Sequence, residues 1–145
     1  MTIDVAVIGA GPTGLMLACE LSLAGAEPVL LDQLPEPSQA PKANGLVGQA
    51  VELMDRRGLL EGLGGASPPV PMPGFSFGAI QLDLSRLQDN PLHGLVVPQA
   101  VLERVLIERA HELGVDIRRG QKVTGVSQDA SGVTIDLAGT RLRAR

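Results

Sequence analysis

A turn of three glycines between an apolar run and a helix-like segment is the feature that most constrains this chain. Residues 9–14 read Gly-Ala-Gly-Pro-Thr-Gly, with glycine at the first, third and sixth positions. The turn follows residues 3–8, a β-branched run typical of a strand that is covered on both faces. Pro12 suits the first turn of a helix, because its missing N–H would have no partner there. The order predicts a strand, a tight turn and a helix.

The residues after the turn complete a βαβ unit. Leu17, Leu21 and Ala24 recur at helical spacing, and Gly25 is well placed to end the helix. Residues 28–32 form a second short apolar strand that ends on Asp32. We expect the two strands to be parallel and the crossover to be right-handed.

The glycines and Asp32 together predict a dinucleotide site. Gly9 permits the tight turn, Gly11 lets a pyrophosphate approach the backbone, and Gly14 allows the helix to pack closely on the strand. The N–H groups at the helix start, where Thr13 lies, would face the phosphates. The Asp32 carboxylate would accept hydrogen bonds from ribose hydroxyls and would repel a 2′-phosphate. These features do not distinguish NAD from FAD.

The segment after Asp32 departs from a plain NAD-binding fold. Prolines at positions 35, 37 and 41 predict an extended loop over 33–45, and a helix is predicted over 48–57. The prolines within residues 64–74 exclude a helix or a central strand there. A second long helix fits 99–113, which delays the third parallel strand to about residue 115, and an antiparallel meander follows from residue 123. Such a long insertion favours a flavoprotein.

The amino-acid composition excludes several classes of protein and several kinds of binding site. A hydrophobic fraction of 44% with 19% charged residues excludes an intrinsically disordered chain. The single cysteine excludes a disulfide framework, gives no basis for a metal site and predicts a reducing, cytoplasmic location. A net charge of −4 and the absence of Trp and Tyr are not typical of a nucleic-acid-binding protein. No apolar run approaches the ~18 residues that span a bilayer, and the start of the chain does not resemble a secretory signal.

Segments beyond the glycine turn carry a family resemblance. They are Lys-Ala-Asn-Gly-Leu at 42–46, Glu-Leu-Met-Asp-Arg-Arg-Gly-Leu-Leu at 52–60, Val-Pro-Gln at 97–99 and Leu-Gly-Val-Asp-Ile-Arg-Arg-Gly at 113–120. With the turn, they make the chain similar to the FAD-dependent aromatic hydroxylases of the p-hydroxybenzoate hydroxylase type. The resemblance is greatest to the branch that acts on aromatic polyketides and rifamycin-like antibiotics, and it covers essentially all 145 residues.

The resemblance implies an α/β fold of the Rossmann-like FAD-binding type: a parallel sheet with helices and a small antiparallel meander, here incomplete. Residues 1–145 would be the N-terminal part of the FAD-binding domain, and residues 64–97 an excursion toward a substrate domain. The family's later fingerprints, an Asp-Gly pair and a Gly-Asp motif, would lie beyond residue 145. We therefore expect a portion of a longer enzyme that is inactive alone.

The resemblance also implies the chemistry. Members use FAD, reduced by NAD(P)H, to form a flavin C4a-hydroperoxide that oxygenates an electron-rich aromatic molecule. Asp32, followed by Gln33, would hold the adenosine ribose, and the Val123 backbone would meet the adenine. Gln99 would contact the ribityl and pyrophosphate region, and Lys42 stands where relatives usually place an arginine near the pyrophosphate. No residue is predicted to be a catalytic acid or base.

Other functions remain open at this point. A different FAD enzyme on the same scaffold, such as a halogenase or an isoprenoid reductase, would share the glycine turn. A nucleotide-binding module without catalysis would also retain it. A structural interaction domain leaves the glycine spacing unexplained. The sequence makes no prediction of oligomeric state.

Overall fold

A computed structural model describes residues 2–38, 40, 42–64 and 69–145, which fall into two compact units. The first unit combines Met1–Ala40 with Glu103–Arg145, and the second is Pro41–Leu102. The excursion predicted over 64–97 belongs to the second unit, and its residues 65–68 lie outside the described ranges.

The elements in chain order are β1 (Thr2–Ile3), β2 (Val5–Ile8), α1 (Pro12–Leu23), β3 (Pro28–Leu31), β4 (Gly45–Val47), α2 (Gln49–Arg56), a 3-10 helix (Glu61–Leu63), β5 (Val70–Pro71), β6 (Gly74–Phe77), β7 (Ile80–Asp83), β8 (His93–Val96), α3 (Gln99–Glu112), β9 (Asp116–Arg118), β10 (Val123–Asp129), β11 (Gly132–Leu137) and β12 (Thr140–Ala144). No helix in these described ranges has the length and apolar character needed to cross a membrane.

A three-stranded parallel sheet forms the base of the first unit. Its strand order is β2-β3-β9, so the second strand of the chain's βαβ unit lies at the centre. All four residues of β3 are buried, which fits a central strand of a parallel sheet with both faces covered. The predicted βαβ unit and the delayed third parallel strand are confirmed.

A four-stranded sheet with the order β1-β12-β11-β10 completes the first unit. β10, β11 and β12 form the predicted antiparallel meander, and β1 joins it in parallel through β12. One buried cluster draws apolar side chains from strands of both sheets: Ile3, Val29, Leu31, Ile135, Leu137 and Ala144. This cluster fixes the meander against the parallel sheet.

The single strand predicted over residues 3–8 is in fact two strands. Asp4 separates β1, which pairs in the meander, from β2, which pairs in the parallel sheet. The Asp4 Oδ2 accepts the N–H of Glu27 at 2.9 Å. A polar side chain in the middle of an apolar run therefore marks the point where the chain changes sheets.

The helix predicted from the spacing of Leu17, Leu21 and Ala24 is present as α1, but these three residues do not form its buried face. Leu17 is 47% exposed, Ala24 is exposed, and Leu21 is half-buried. The residues that α1 buries form a different face of the helix: Leu15, Met16, Ala18 and Cys19. α1 packs against β2 and β3 of the parallel sheet.

The second unit is built from short antiparallel pairs. β8 lies between β4 and β5, and β6 and β7 form a two-stranded sheet in the described part of this unit. The predicted helix over 48–57 is α2, and its residues Val51 and Met54 are almost fully buried. The proline-rich segment contributes β5 at the outer edge of its sheet, where a residue without an N–H donor is tolerated.

Candidate nucleotide-binding site

The glycine turn at residues 9–14 leads directly from β2 into α1. Gly9 has φ +106°, a backbone conformation that side chains rarely adopt, and its N–H donates to the Leu31 carbonyl oxygen at 2.7 Å. A Cβ placed on Gly14 would lie 1.9 Å from the Gly9 oxygen and 3.4 Å from Val7 Cγ1. This is the close packing of helix on strand that the motif predicts at Gly14.

Gly11 differs from Gly14, because a Cβ placed there would meet nothing within 4 Å. It is the N-cap of α1, with φ −80° and ψ 178°, and no side chain caps the helix in the described structure. The first helical residue is Pro12, which has no N–H, so the donors at this end belong to Thr13 and Gly14. An open backbone surface at the positive end of a helix favours an anionic ligand.

The Asp32 carboxylate points to the glycine turn. Its Oδ2 accepts the N–H of Ala10 at 2.7 Å, and its Oδ1 accepts the N–H of Leu34 at 2.7 Å. The two hydrogen bonds fix the carboxylate beside Gly11 at the carboxyl end of β3. An ionised carboxylate offers about four acceptor positions, so two backbone donors leave capacity for hydroxyl groups of a ligand.

The turn that follows β9 joins the same edge of the sheet. The N–H of Gln121 donates to the Asp32 carbonyl oxygen at 2.8 Å, and the N–H of Gly120 donates to that of Leu34 at 3.1 Å. The exposed Gln33 lies between these two acceptors, and Val123 begins β10 two residues after Gln121. The structure thus brings together the glycine turn, Asp32, Gln33 and the approach to Val123.

A groove of about 440 Å³ lies along β2 and the glycine turn. Its lining is mainly apolar and consists of Val5, Ala6, Val7, Ile8, Gly9, Gly11, Pro12, Thr13, Gly14 and Leu17. Ile8 is 54% exposed, although it ends a strand whose other residues are largely covered. Among the described residues, no atom lies within 4 Å of a Cβ placed on Gly11.

Lys42 and Gln99 belong to the second unit. The N–H of Gln99 donates to the Ala43 carbonyl oxygen at 3.1 Å, and the N–H of Val97 donates to that of Asn44 at 3.1 Å. These bonds join the exposed Lys42 segment to the start of α3. The two predicted residues of this unit therefore lie on neighbouring pieces of backbone.

Arg119 carries a site feature that the sequence does not reveal. It follows β9 directly, and its Nη2 is buried without a hydrogen-bond partner in the described part of the chain. As one of a run of basic residues it would be expected on a solvated face. Its neighbour Arg118 does follow that expectation, since it is partly exposed and pairs with Asp116 at 2.6 Å.

Cys19 has no place in the site. It is 2% exposed on the buried face of α1, and its Sγ donates to the Leu106 carbonyl oxygen at 3.9 Å. Burial raises the pKa of the thiol, although Arg109 opposes that shift. An apolar, shielded thiol is an inert core residue.

The family profile described as "FAD binding domain" matches residues 2–144. Among curated proteins, the 12-dehydrotetracycline 5-monooxygenase/anhydrotetracycline 6-monooxygenase of Streptomyces rimosus is 46% identical over 139 residues. That alignment covers 96% of this chain and 28% of the relative. The rifampicin monooxygenase of Streptomyces venezuelae is 44% identical over 143 residues, with coverages of 98% and 30%.

Solved structures agree with these relatives. The anhydrotetracycline hydroxylase from Streptomyces rimosus superposes with a TM-score of 0.85 at 43% identity, covering 99% of this chain and 30% of that structure. The chain therefore spans less than a third of the length of the proteins that it matches.

Proposed function

Because the chain belongs to the FAD-binding domain family, we propose that its glycine turn and Asp32 hold the adenosine diphosphate half of FAD in a monooxygenase for a polyketide-type aromatic. The observation that carries this proposal is the position of the Asp32 carboxylate, 2.7 Å from the N–H of Ala10 in the turn. Backbone N–H donors for a pyrophosphate and a carboxylate acceptor for ribose hydroxyls then lie side by side. FAD requires both.

The residues of the site fit this half of the cofactor. Gly11 leaves an open cradle that a Cβ would narrow, and the N–H groups of Thr13 and Gly14 supply donors for the pyrophosphate. The free acceptor capacity of Asp32 suits ribose hydroxyls, with Gln33 beside it. The backbone at Val123 would meet the adenine. The buried Nη2 of Arg119 still needs an acceptor at this edge of the sheet.

Lys42 and Gln99 extend the proposal toward the flavin. Gln99 would contact the ribityl and pyrophosphate region, and Lys42 would supply a positive charge near the pyrophosphate. A lysine presents a point charge rather than the two-pronged guanidinium of an arginine. Their backbones are already joined through Ala43, which would let one ligand contact both.

These roles separate the chemistry of the cofactor from the contribution of the protein. Bound FAD supplies the redox chemistry, with NAD(P)H as the transient reductant and O₂ as the oxidant. The residues of this chain bind and orient the cofactor, and none of them is assigned a proton transfer. The Asp32 charge repels a 2′-phosphate, so NADP would not bind at this site as a resident cofactor.

The substrate class is proposed from the relatives. The two curated monooxygenases are named for tetracycline intermediates and for rifampicin, both bulky polycyclic molecules. We infer a small-molecule substrate of the same kind. A reducing, cytoplasmic location is part of the proposal, because the cysteine is buried and free.

Flavin binding is tested on the full-length protein that contains this chain. Asp32→Ala should weaken FAD binding at least ~10-fold, equivalent to about 1.4 kcal/mol. Glu36→Ala is the matched control, since Glu36 is an exposed acid in the same loop. Flavin absorbance and a titration of the apoprotein provide the measurement. Equal FAD affinity in both variants would overturn the assignment of Asp32.

Monooxygenation is tested separately with anhydrotetracycline as the probe. The proposal expects the aromatic to accelerate NAD(P)H oxidation and to gain one oxygen atom, read by mass spectrometry. Flavin that is reduced without any oxygenated product would favour another FAD oxidoreductase. Nucleotide binding without flavin reduction would favour a non-catalytic module.

A further inference from the structure

The chain contains two asparagines, and they differ in the residue that follows. Asn44 precedes Gly45, whereas Asn90 precedes Pro91. The backbone nitrogen of the next residue can attack an asparagine side-chain amide, and glycine leaves that approach open because it has no Cβ. Proline has no N–H to lose in such an attack. Asn44 is therefore the asparagine of this sequence that can modify itself.

The two asparagine side chains also differ in their contacts. Asn44 is exposed, and its side chain makes no hydrogen bond among the described residues. The Asn90 Nδ2 donates to the Met72 carbonyl oxygen at 2.6 Å, and its Oδ1 accepts the N–H of Leu92 at 3.0 Å. The fold thus holds the Asn90 amide in place and leaves the Asn44 amide open to attack.

The backbone nitrogen of Gly45 lies on the outer side of β4. The N–H of Val97 donates to the Asn44 carbonyl oxygen at 3.1 Å. Further along, the N–H of Gly48 donates to the His93 carbonyl oxygen at 2.7 Å. Because hydrogen-bonded and non-hydrogen-bonded pairs alternate along an antiparallel ladder, the pair that contains Gly45 is a non-hydrogen-bonded one. Its N–H therefore points away from β8, and β4 is the outer strand of the described sheet.

The pairing of β4 with β8 explains why position 45 is a glycine. A Cβ placed on Gly45 would lie 2.9 Å from the Leu95 carbonyl oxygen, so the strands approach too closely for a side chain there. The glycine that the strand pairing requires is thus also the residue that leaves Asn44 reactive.

Asn44 lies beside the positive charge of its segment. Lys42 is the one basic residue between Asp32 and Arg56 in the sequence, and its side chain is exposed like that of Asn44. The proposed function places this lysine near the pyrophosphate of FAD. A carboxylate at position 44 would oppose the attraction between the lysine and the phosphates.

We propose that Asn44–Gly45 is a self-modification site at which deamidation lowers the affinity of the protein for FAD. The Gly45 nitrogen bonds to the Asn44 Cγ, the Cγ–Nδ2 bond breaks, and ammonia leaves with the proton of the attacking N–H. Water then opens the succinimide at either of its two carbonyl carbons, which gives aspartate or isoaspartate. Both products carry a new negative charge. The inference rests on the proposed function, because FAD is the ligand whose affinity falls.

Ageing of the full-length protein at physiological temperature tests the modification. Peptide mass mapping should show that position 44 exchanges its amide for a carboxyl group, with both aspartate and isoaspartate among the products. Asn90 is the internal control and should remain an amide. Asn44→Gln is the matched variant, and position 44 should then convert at least ~10-fold more slowly, because attack on the longer side chain must close a six-membered ring.

FAD titration of the full-length apoprotein tests the consequence. Asn44→Asp introduces the charge of the product without the ageing step, and it should weaken FAD binding about 3- to 10-fold. Asn44→Gln keeps a neutral amide and should bind FAD as tightly as the fresh wild-type protein.

Two results would overturn the proposal. An intact amide at position 44, under conditions that convert a synthetic peptide of residues 42–48, would show that the fold protects the site. Equal FAD affinity of Asn44→Asp and the wild-type protein would show that the new charge does not act on the ligand. Failure of the flavin proposal is distinguishable from both, because the mass map requires no cofactor and the fresh wild-type protein would then bind no FAD.

Discussion

Individual glycines in the turn at residues 9–14 have unequal roles. Gly14 is required by packing, since a Cβ there would lie 1.9 Å from a backbone oxygen of Gly9. Gly11 has an ordinary φ of −80° and open space beside it, so nothing in the protein itself requires a glycine there. A ligand that lies close to the backbone at position 11 would explain why the residue there is glycine.

Paired alanine variants test this difference at the level of the residue. Gly14→Ala should lower the free energy of unfolding by about 1–3 kcal/mol, because backbone atoms must move apart. Gly11→Ala should leave that energy nearly unchanged and weaken FAD binding at least ~10-fold. Thermal denaturation and FAD titration of the full-length protein are the measurements. A Gly11→Ala variant with unchanged FAD affinity would contradict the proposed cradle.

At the level of the element, ionic contacts link neighbouring strands of the meander, as the turn between β10 and β11 shows. The Arg143 guanidinium contacts the Asp129 carboxylate at 2.5 Å, and its Nη1 donates to the Thr134 hydroxyl at 2.6 Å. The Ser131 hydroxyl and N–H also donate to Asp129, at 2.7 and 2.8 Å. Three strands of the meander are thus linked through one arginine on β12.

This network predicts a pH dependence. Arg143 first, and then Ser131, hold the pKa of Asp129 well below its ordinary value. Because the folded-state pKa is the lower one, the stabilisation is present above the unfolded pKa of about 3.9 and is lost as the pH falls through the folded value. Arg143→Ala should raise the Asp129 midpoint in an NMR titration. Arg141→Ala, which removes a contact to Asp136, should leave it unchanged.

Connectivity at the level of the whole molecule makes the first unit discontinuous in sequence. Its parallel sheet needs β9, and β1 pairs with β12, so strands from both ends of the chain depend on each other. The buried cluster of Ile3, Val29 and Leu31 is completed by Ile135, Leu137 and Ala144. Neither part of the sequence closes this core alone.

A truncation tests that dependence. Residues 1–102 keep the glycine turn and Asp32 but lose most of α3 and all of β9 to β12, so they should show no cooperative thermal transition and no FAD binding. Residues 1–145 are the control and should unfold cooperatively, as followed by circular dichroism. A cooperative transition in the shorter chain would show that the meander is dispensable for the core.

Local sequence was sufficient for the elements whose signals are short-range. The spacing of Gly9, Gly11 and Gly14 after an apolar run, together with Pro12, predicted the turn and the start of α1. Turn residues at 129–132, followed by the alternation of Val133, Ile135 and Leu137, predicted the hairpin of the meander. These elements depend on φ preferences and on a period of two, which neighbouring residues determine.

The sequence by itself thus determined the βαβ unit, the acid that ends its second strand and the meander. Only the tertiary structure decided that Asp4 divides one apolar run between two sheets, that α1 buries Leu15 and Cys19 rather than Leu17, and that Arg119 has a buried nitrogen. The physical reason is that burial depends on which surfaces meet. A periodic pattern identifies residues that can pack, whereas contacts between distant segments select the face that does.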